Sequence, residues 1–515
     1  MTVAVRTIPK LLWLLVPAAG LYLYRLESAP VYLYNTEVLF SLQAHAIASS
    51  ARDLDGRLLP LYFQMRPIGD NVWFQPMLVY FTALVLEILP MSETVVRLPT
   101  VMVGLTNIVL MYWVAKRIFK RELLALIAAA LLALTPAHLM TSRFAMDYLY
   151  PVPFVLAWLL CFSAFLERGR LSHLFAATSL LGIGFYSYIA SVVMMPFYLL
   201  LTCLALLRER HISVKPYAVA LAGFVWPLSP LLFWLRAHPA YSDTVGRYGF
   251  LHSLRDALHF FAITDRVNVY WSFLNPSYLF LTGGVDVMDS TRRVGVFLIP
   301  LSVLFLVGIN RVVNVRRSSI GLIVLIGFLF APLAAMIPAE AYAIDRELEV
   351  LPFGVLLAMF GIECLLSAPA KKWRMACLGL LGLVPLQFGI FYRDYQGDYR
   401  ARSAGMYGGN LRGAIEEIIA QDDRQPAPSI YLSNDIAYVD SYWKFYLMKY
   451  GRQNLIGRTT RVNPAEVHIR AMPVNALVLL PTQYESGSLS KSNDLRTLKL
   501  IAEPDGSVMF AVRQR

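Results

Sequence analysis

Long apolar runs alternate along the chain with short basic punctuation. Runs over roughly 9–26, 95–115, 122–139, 151–166, 172–189, 192–207, 216–235, 294–311, 318–337, 346–366 and 374–391 are each mainly apolar. A helix needs about 20 such residues to cross the hydrocarbon layer of a bilayer. The pattern therefore predicts eleven transmembrane helices. One further apolar stretch, "FQPMLVYFTALVLEIL" (Phe74–Leu89), carries Pro76 near its start and Glu87 near its end. It is short for a span.

Charge decides how that stretch is read. The basic clusters are "KRIFKR" (116–121), "ERGR" (167–170), "RERH" (208–211) with Lys215, "RVVNVRR" (311–317) and "KKWR" (371–374). If 74–89 lies flat at the interface, all of them share one side with Arg6 and Lys10, as the positive-inside rule demands. If it crossed, they would face away from that N-terminal pair. The expected topology has a cytoplasmic N-terminus, an outer C-terminus and an interfacial helix at 74–89. Long polar loops at about 27–94 and 236–293, and a short one at 140–150, then face outside. Arg6 and Lys10 before "LLWLLVPAAG" read as the flank of a first anchor, since apolar segments continue after it.

The tail, 392–515, has a different texture. "NLRGAIEEIIAQ" reads as a helix and "PSIYLS" as a strand. "SYWKFYLMKY" reads as a helix stopped by Gly451, and "NALVLLP" as a strand. "LKLIAEPDGSVMFAVRQ" reads as a hairpin turning at Asp505-Gly506. The expected organisation is a transmembrane domain, 1–391, and a small extracytoplasmic α/β domain, 392–515. No Gly-rich phosphate loop marks the tail for nucleotide chemistry.

Composition narrows the function classes. With 57% hydrophobic and 16% charged residues, the chain lies outside the range of soluble domains, about 45–50% and 25%. The formal charge of +12 is spent in loop clusters, so no nucleic-acid partner is expected. Cys161, Cys203, Cys364 and Cys377 lie in or beside apolar runs with no CxxC pair. They read as apolar packing residues without disulfide or zinc. No HExxH, HxH or GxSxG occurs, so metalloprotease and serine-hydrolase chemistry have no support.

Four carboxylates fall near the outer membrane face: Glu37, Asp53, Asp55 and Asp147. Each has a plain alternative. Glu37, with Asn35 and Thr36 as caps, can simply offset a helix dipole. Asp53 and Asp55 in "ARDLDGRLLP" can be turn residues. Asp147 in "TSRFAMDYLYP" can pair locally with Arg143. The outer cations are Arg57, Arg66, Arg97, Arg143, Arg292, Arg293 and Arg346. A charge at the start of a span, as at Asp345-Arg346 in "AYAIDRELEVLP", is costly unless paired or wetted. The planar fork of Arg suits phosphate.

The ordered set of motifs resembles a known family. After the first span come an outer acidic residue opening a helix, "ARDLDGRLLP", an apolar interfacial helix, and "VVRLPTVMVGL" leading to "KRIF". Then follow "LTPAHLMTSRFAMD", "GIGFYSYIAS" and "NPSYLFLTGG". This resembles the GT-C fold glycosyltransferases of family 39, relatives of protein O-mannosyltransferases and of the lipid A aminoarabinose transferase. The likeness covers about 1–400 in order and spacing.

The resemblance implies an inverting enzyme of the bacterial cytoplasmic membrane. It would move a sugar from a polyprenyl-phosphate carrier to a hydroxyl acceptor on a glycolipid, polysaccharide or protein, on the outer face. It implies Glu37 or Asp147 as catalytic carboxylate. Asp53, Arg57, Arg66, Arg97, Arg143, Tyr270, Asn275 and Arg346 would bind substrate, with no metal and no cofactor beyond the lipid-linked donor. A monomer is expected. The family's Asp-Glu pair is here Thr36-Glu37, and its Lys-Pro-Pro-Leu is Gln75-Pro76-Met77-Leu78. Two other classes compete: a relative that binds a lipid-linked sugar without turnover, and a lipid or solute transporter. Long outer loops and the lack of half-to-half similarity speak against the transporter.

Overall fold

The computed structural model describes residues 2–70, 72–209, 213–238, 259–315, 318–464, 469–482 and 494–515. Among the described residues, six helices are long and apolar enough to cross a membrane: Glu93–Phe119, Asp147–Arg168, Ser191–Arg208, Val214–Ala237, Ser319–Met336 and Lys371–Gln396. Glu122–Ala133 and Pro136–Ser142, bent by 62°, make a seventh if they form one span. The bend follows from sequence, because Thr135, held before Pro136, takes extended backbone. The helix Thr2–Leu23 is apolar over Lys10–Leu23, and shorter apolar helices occupy Met77–Leu86, Leu171–Gly184, Pro300–Asn314 and Val350–Leu366. Every predicted run is thus helical in a multi-pass membrane protein. The count of eleven spans is not confirmed, since the runs at 172–189, 294–311 and 346–366 fold into helices below the length of a span. The stretch expected at the interface contains a helix of ten residues, Met77–Leu86.

The chain divides into two compact units, 1–24 with 59–81 and 98–393, and 25–58 with 82–97 and 394–515. In the first, Val350–Leu366 is apolar but for Glu363 and buried over most of its length, as a central helix must be. It meets Pro300–Asn310 backbone to backbone. A Cβ added at Gly308 would lie 1.9 Å from the Leu357 carbonyl oxygen, and one at Gly361 would lie 2.1 Å from that of Leu304. Small residues are what lets membrane helices approach this closely. Two short strands, β1 (Phe63–Gln64) and β2 (Trp73–Phe74), pair antiparallel in the same unit.

The second unit is built on a five-stranded sheet. Its strands are β3 (Ile430–Ser433), β4 (Thr459–Val462), β5 (Leu477–Pro481), β6 (Arg496–Ala502) and β7 (Val508–Gln514), in the order β4-β3-β5-β7-β6. β3 runs parallel to both β4 and β5, while β7 runs antiparallel to β5 and β6. Strand β4 carries exposed positions at Thr460 and Arg461, a pattern too polar to have been read as a strand. Gly506 at φ +87° makes the turn between β6 and β7. The helices Leu411–Arg424 and Val439–Tyr450 accompany the sheet, the second ending at Gly451 in the left-handed region.

The core of this unit draws on distant parts of the chain. Leu33, Val38 and Leu42 from one segment and Met91 and Val96 from another are buried with Ile415, Trp443, Leu479 and Phe510. The sequence had placed 27–58 and 82–97 with the membrane helices.

Candidate active site

Asp147 opens a single 3-10 turn, Asp147–Leu149, between Pro136–Ser142 and the helix that starts at Pro151. It is 1% exposed, and neither carboxylate oxygen has a hydrogen-bond partner among the described residues. The pair with Arg143 is not made. The Arg143 guanidinium instead takes the carbonyls of Leu21, Tyr22 and Tyr24 at 3.1, 2.6 and 2.8 Å. A buried carboxylate left in this state is costly and calls for a functional reason.

A second turn, Ile344–Arg346, packs against the first. The Tyr148 ring stands edge-on to Tyr188 at 5.4 Å. The Tyr188 hydroxyl donates to Asp345 Oδ2 at 3.3 Å. Asp345 lies within electrostatic range of Asp147 and Asp289. Arg346 Nε donates to Glu340. Burial pushes the Asp345 carboxyl up to about 6, against the pull of the adjacent Arg346 charge. The first unit therefore gathers Asp147, Asp345 and Arg346, walled by Tyr148 and Tyr188. Among the described residues, no three His, Cys, Asp or Glu side chains are placed to hold a metal ion.

Glu37 and Arg97 belong to the second unit and have a different character. Glu37 sits in the first turn of helix Asn35–Ser50, for which Tyr34, rather than Asn35 or Thr36, occupies the cap position. Its Oε2 accepts from the Tyr34 N–H at 2.8 Å and its Oε1 from Arg97 Nε at 3.0 Å. Arg97 Nη1 donates to Leu26 O and Pro30 O, both at 2.9 Å, and Nη2 to Tyr32 O at 2.6 Å. Both side chains are fully buried. A carboxylate engaged this way is a clamp on the chain before it.

Asp53 behaves as the turn residue that its motif allows. Its Oδ1 accepts the N–H groups of Asp55 and Arg57 at 3.0 and 2.8 Å, and its Oδ2 accepts from Arg57 Nε at 2.8 Å. Asp55 pairs with Arg57 as well. Arg66 is exposed in the turn after β1, and Tyr270 is half-buried on helix Phe260–Phe273. Asn275 closes a turn by accepting the Ser277 N–H at 2.9 Å. None of these three hydrogen-bonds Asp147 or Asp345. Of the outer loop expected at 236–293, residues 239–258 lie outside the described residues.

Sequence reasoning noted Asp345 only as a charge beside Arg346, and named neither it nor Tyr148 nor Tyr188 as a site residue. The signal available was the charged run "IDRE" at the start of an apolar helix, which must find partners wherever it lies.

Residues 74–234 match the family model described as dolichyl-phosphate-mannose-protein mannosyltransferase. No curated protein matches the chain. Among solved structures, ArnT from Cupriavidus metallidurans in the apo state has a TM-score of 0.55 at 12% identity, covering 97% of each chain. The same protein bound to undecaprenyl phosphate gives 0.54, again at 12% identity and 97% of each chain. The oligosaccharyltransferase of Archaeoglobus fulgidus gives 0.51 at 14% identity, over 97% of this chain and 73% of that one. The chain therefore has the fold of these proteins, and the resemblance to GT-C glycosyltransferases carried by its motifs is borne out.

Proposed function

We propose that this protein transfers a glycosyl group from a polyprenyl-phosphate carrier to a hydroxyl acceptor, on the outer face of the cytoplasmic membrane. One observation carries the reading. In a chain with the ArnT fold along 97% of its length, Asp147 is a buried carboxylate with no hydrogen-bond partner among the described residues, grouped with Asp345 and Arg346. The ArnT structure holding undecaprenyl phosphate supports a donor of that class.

The chemistry follows from these groups. The bond from the anomeric carbon to the phosphate oxygen breaks, and the electron pair leaves with the phosphate. The acceptor oxygen forms the new bond from the opposite face, and its proton passes to Asp147. A general base in this position is worth about 10²–10⁴ in rate. Arg346 neutralises the charge that grows on the departing phosphate, a task for which a guanidinium suffices. In this scheme Glu37 takes no chemical step, since its oxygens already serve Tyr34 and Arg97.

The test is a comparison of glycolipids and glycans by mass spectrometry in cells with the protein, without it, and with Asp147→Asn. A glycan that disappears in the second and third cases supports transfer and names sugar and acceptor together. Full glycosylation with Asp147→Asn would remove this residue from the mechanism.

A further inference from the structure

The second unit contains a cavity of about 250 Å³ that the transfer scheme does not use. Four tyrosines, Tyr34, Tyr407, Tyr438 and Tyr442, line it together with Asn35 and Asp435. We infer that this cavity is a binding site for a neutral or amino-bearing sugar unit. The inference stands whether or not the transferase reading holds.

Its place in the fold is the first argument. Chain leaves β3 toward β4 on one side of the sheet, whereas β5 is followed by strands on the other side. The carboxyl ends of β3 and β5 therefore flank a topological switch point, where open α/β sheets leave a crevice for ligands. Residues 435–438, just after β3, and Pro481, the last residue of β5, both line the cavity.

The wall chemistry is the second argument. A pyranose presents apolar C–H faces and a polar rim of hydroxyls. Tyrosine offers both an apolar ring and a hydroxyl. Asp435 accepts and the Asn35 amide donates, which suits a rim of hydroxyls. The Asp435 carboxylate has no partner among the described residues, and the Asn35 oxygen accepts from Thr36 Oγ1 at 3.0 Å. Asp435 is the one charged residue lining the cavity among the described residues. With no cation there, a phosphate, sulfate or uronate is disfavoured. The volume of about 250 Å³ lies just below the usual range of ligand pockets, about 300–1,000 Å³, and fits the end of a glycan better than a prenyl chain.

The walls are held from behind. The Tyr442 hydroxyl donates to Leu33 O at 2.9 Å, and Tyr34 N–H is held by Glu37. The buried Glu37–Arg97 pair thus fixes one wall of the cavity. Tyr438 has φ +56°, a conformation that bulky residues avoid unless the surroundings impose it. Gly405 also lines the cavity, and a Cβ there would meet nothing within 4 Å. A larger side chain can be introduced at that point without a clash at its root.

The experiment uses the full chain in lipid nanodiscs, since glycoside detergents would compete. Binding of chitotriose, mannotriose and trigalacturonate is measured by calorimetry, with farnesyl phosphate as competitor. At least one of the first two should bind. Asp435→Ala and Gly405→Phe should each weaken it tenfold or more without lowering the melting temperature. The inference is overturned if neither neutral trisaccharide binds or trigalacturonate binds best. It is equally overturned if farnesyl phosphate displaces the sugar, or if Asp435→Ala, a change at an exposed position, leaves affinity intact.

Discussion

Glu37 and Arg97, sixty residues apart in sequence, meet as an ion pair in which neither side chain is exposed. The pair is surrounded by backbone carbonyls that Arg97 also serves. Removing one partner of a buried pair leaves an uncompensated charge, at a cost of about 3–5 kcal/mol.

Arg97→Met is therefore expected to destabilise the protein by about that amount, and Leu26, Pro30 and Tyr32 would lose a donor as well. The double change Glu37→Leu with Arg97→Met should cost less than the sum of the single changes. Thermal or denaturant unfolding of the purified protein checks both statements. Unaltered stability in Arg97→Met would show that the pair is not a structural clamp.

Asp147→Asn should behave in the opposite way. Transfer should fall about 10²–10⁴-fold, the range of a lost general base. Stability should stay level or rise, because the change removes a buried carboxylate without hydrogen bonds. An in vitro transfer assay and a melting curve on one preparation separate this from the Arg97 phenotype. A loss of activity that merely tracks a loss of fold would count against Asp147 as the base.

The Asp345 carboxyl makes a pH-dependent contribution with a definite sign. Its folded value, about 6, lies above the ordinary value of about 3.9. Between the two, the unfolded chain has released a proton that the folded chain retains. The contribution is complete below about pH 4 and is lost as pH rises through about 6. Arg346 pulls the carboxyl down and Glu340 pushes it up. Arg346→Met should thus move the midpoint upward and Glu340→Gln downward, read as melting temperature against pH. Asp345→Asn should abolish that part of the profile, and identical profiles in all three variants would refute the assignment.

Gly308 and Gly361 leave no room for a methyl group. Alanine at either one must push apart Pro300–Asn310 and Val350–Leu366, since the nearest atoms are carbonyl oxygens at 1.9 and 2.1 Å. Overpacking of this kind costs typically 1–3 kcal/mol. Gly308→Ala and Gly361→Ala should each lower the melting temperature, while Gly379→Ala, with nothing within 4 Å, should not.

The helices could be read from the sequence because apolar length is a local property. The turn at Asp505-Gly506 and the stop at Gly451 were legible for the same reason, each needing only neighbouring residues. The pairing of Glu37 was not legible because its partner lies at position 97, and one sequence does not reveal that meeting. Asp345 was passed over because its meaning depends on Tyr188 and Asp147, which arrive from other helices. The expected count of eleven spans was not confirmed, because Leu171–Gly184 ends before its apolar run does and Val350–Leu366 starts after its own has begun.

The second unit is assembled from 25–58, 82–97 and 394–515, and this imposes an order on biosynthesis. Leu33, Val38, Met91 and Val96 leave the ribosome hundreds of residues before Trp443 and Phe510, which cover them. Until residues 443–510 have been made, this greasy patch is uncovered on the nascent chain. A holdase or the insertion machinery must shield it, and a stop codon ahead of position 443 would deliver a chain marked for proteolysis even though its apolar helices were already made.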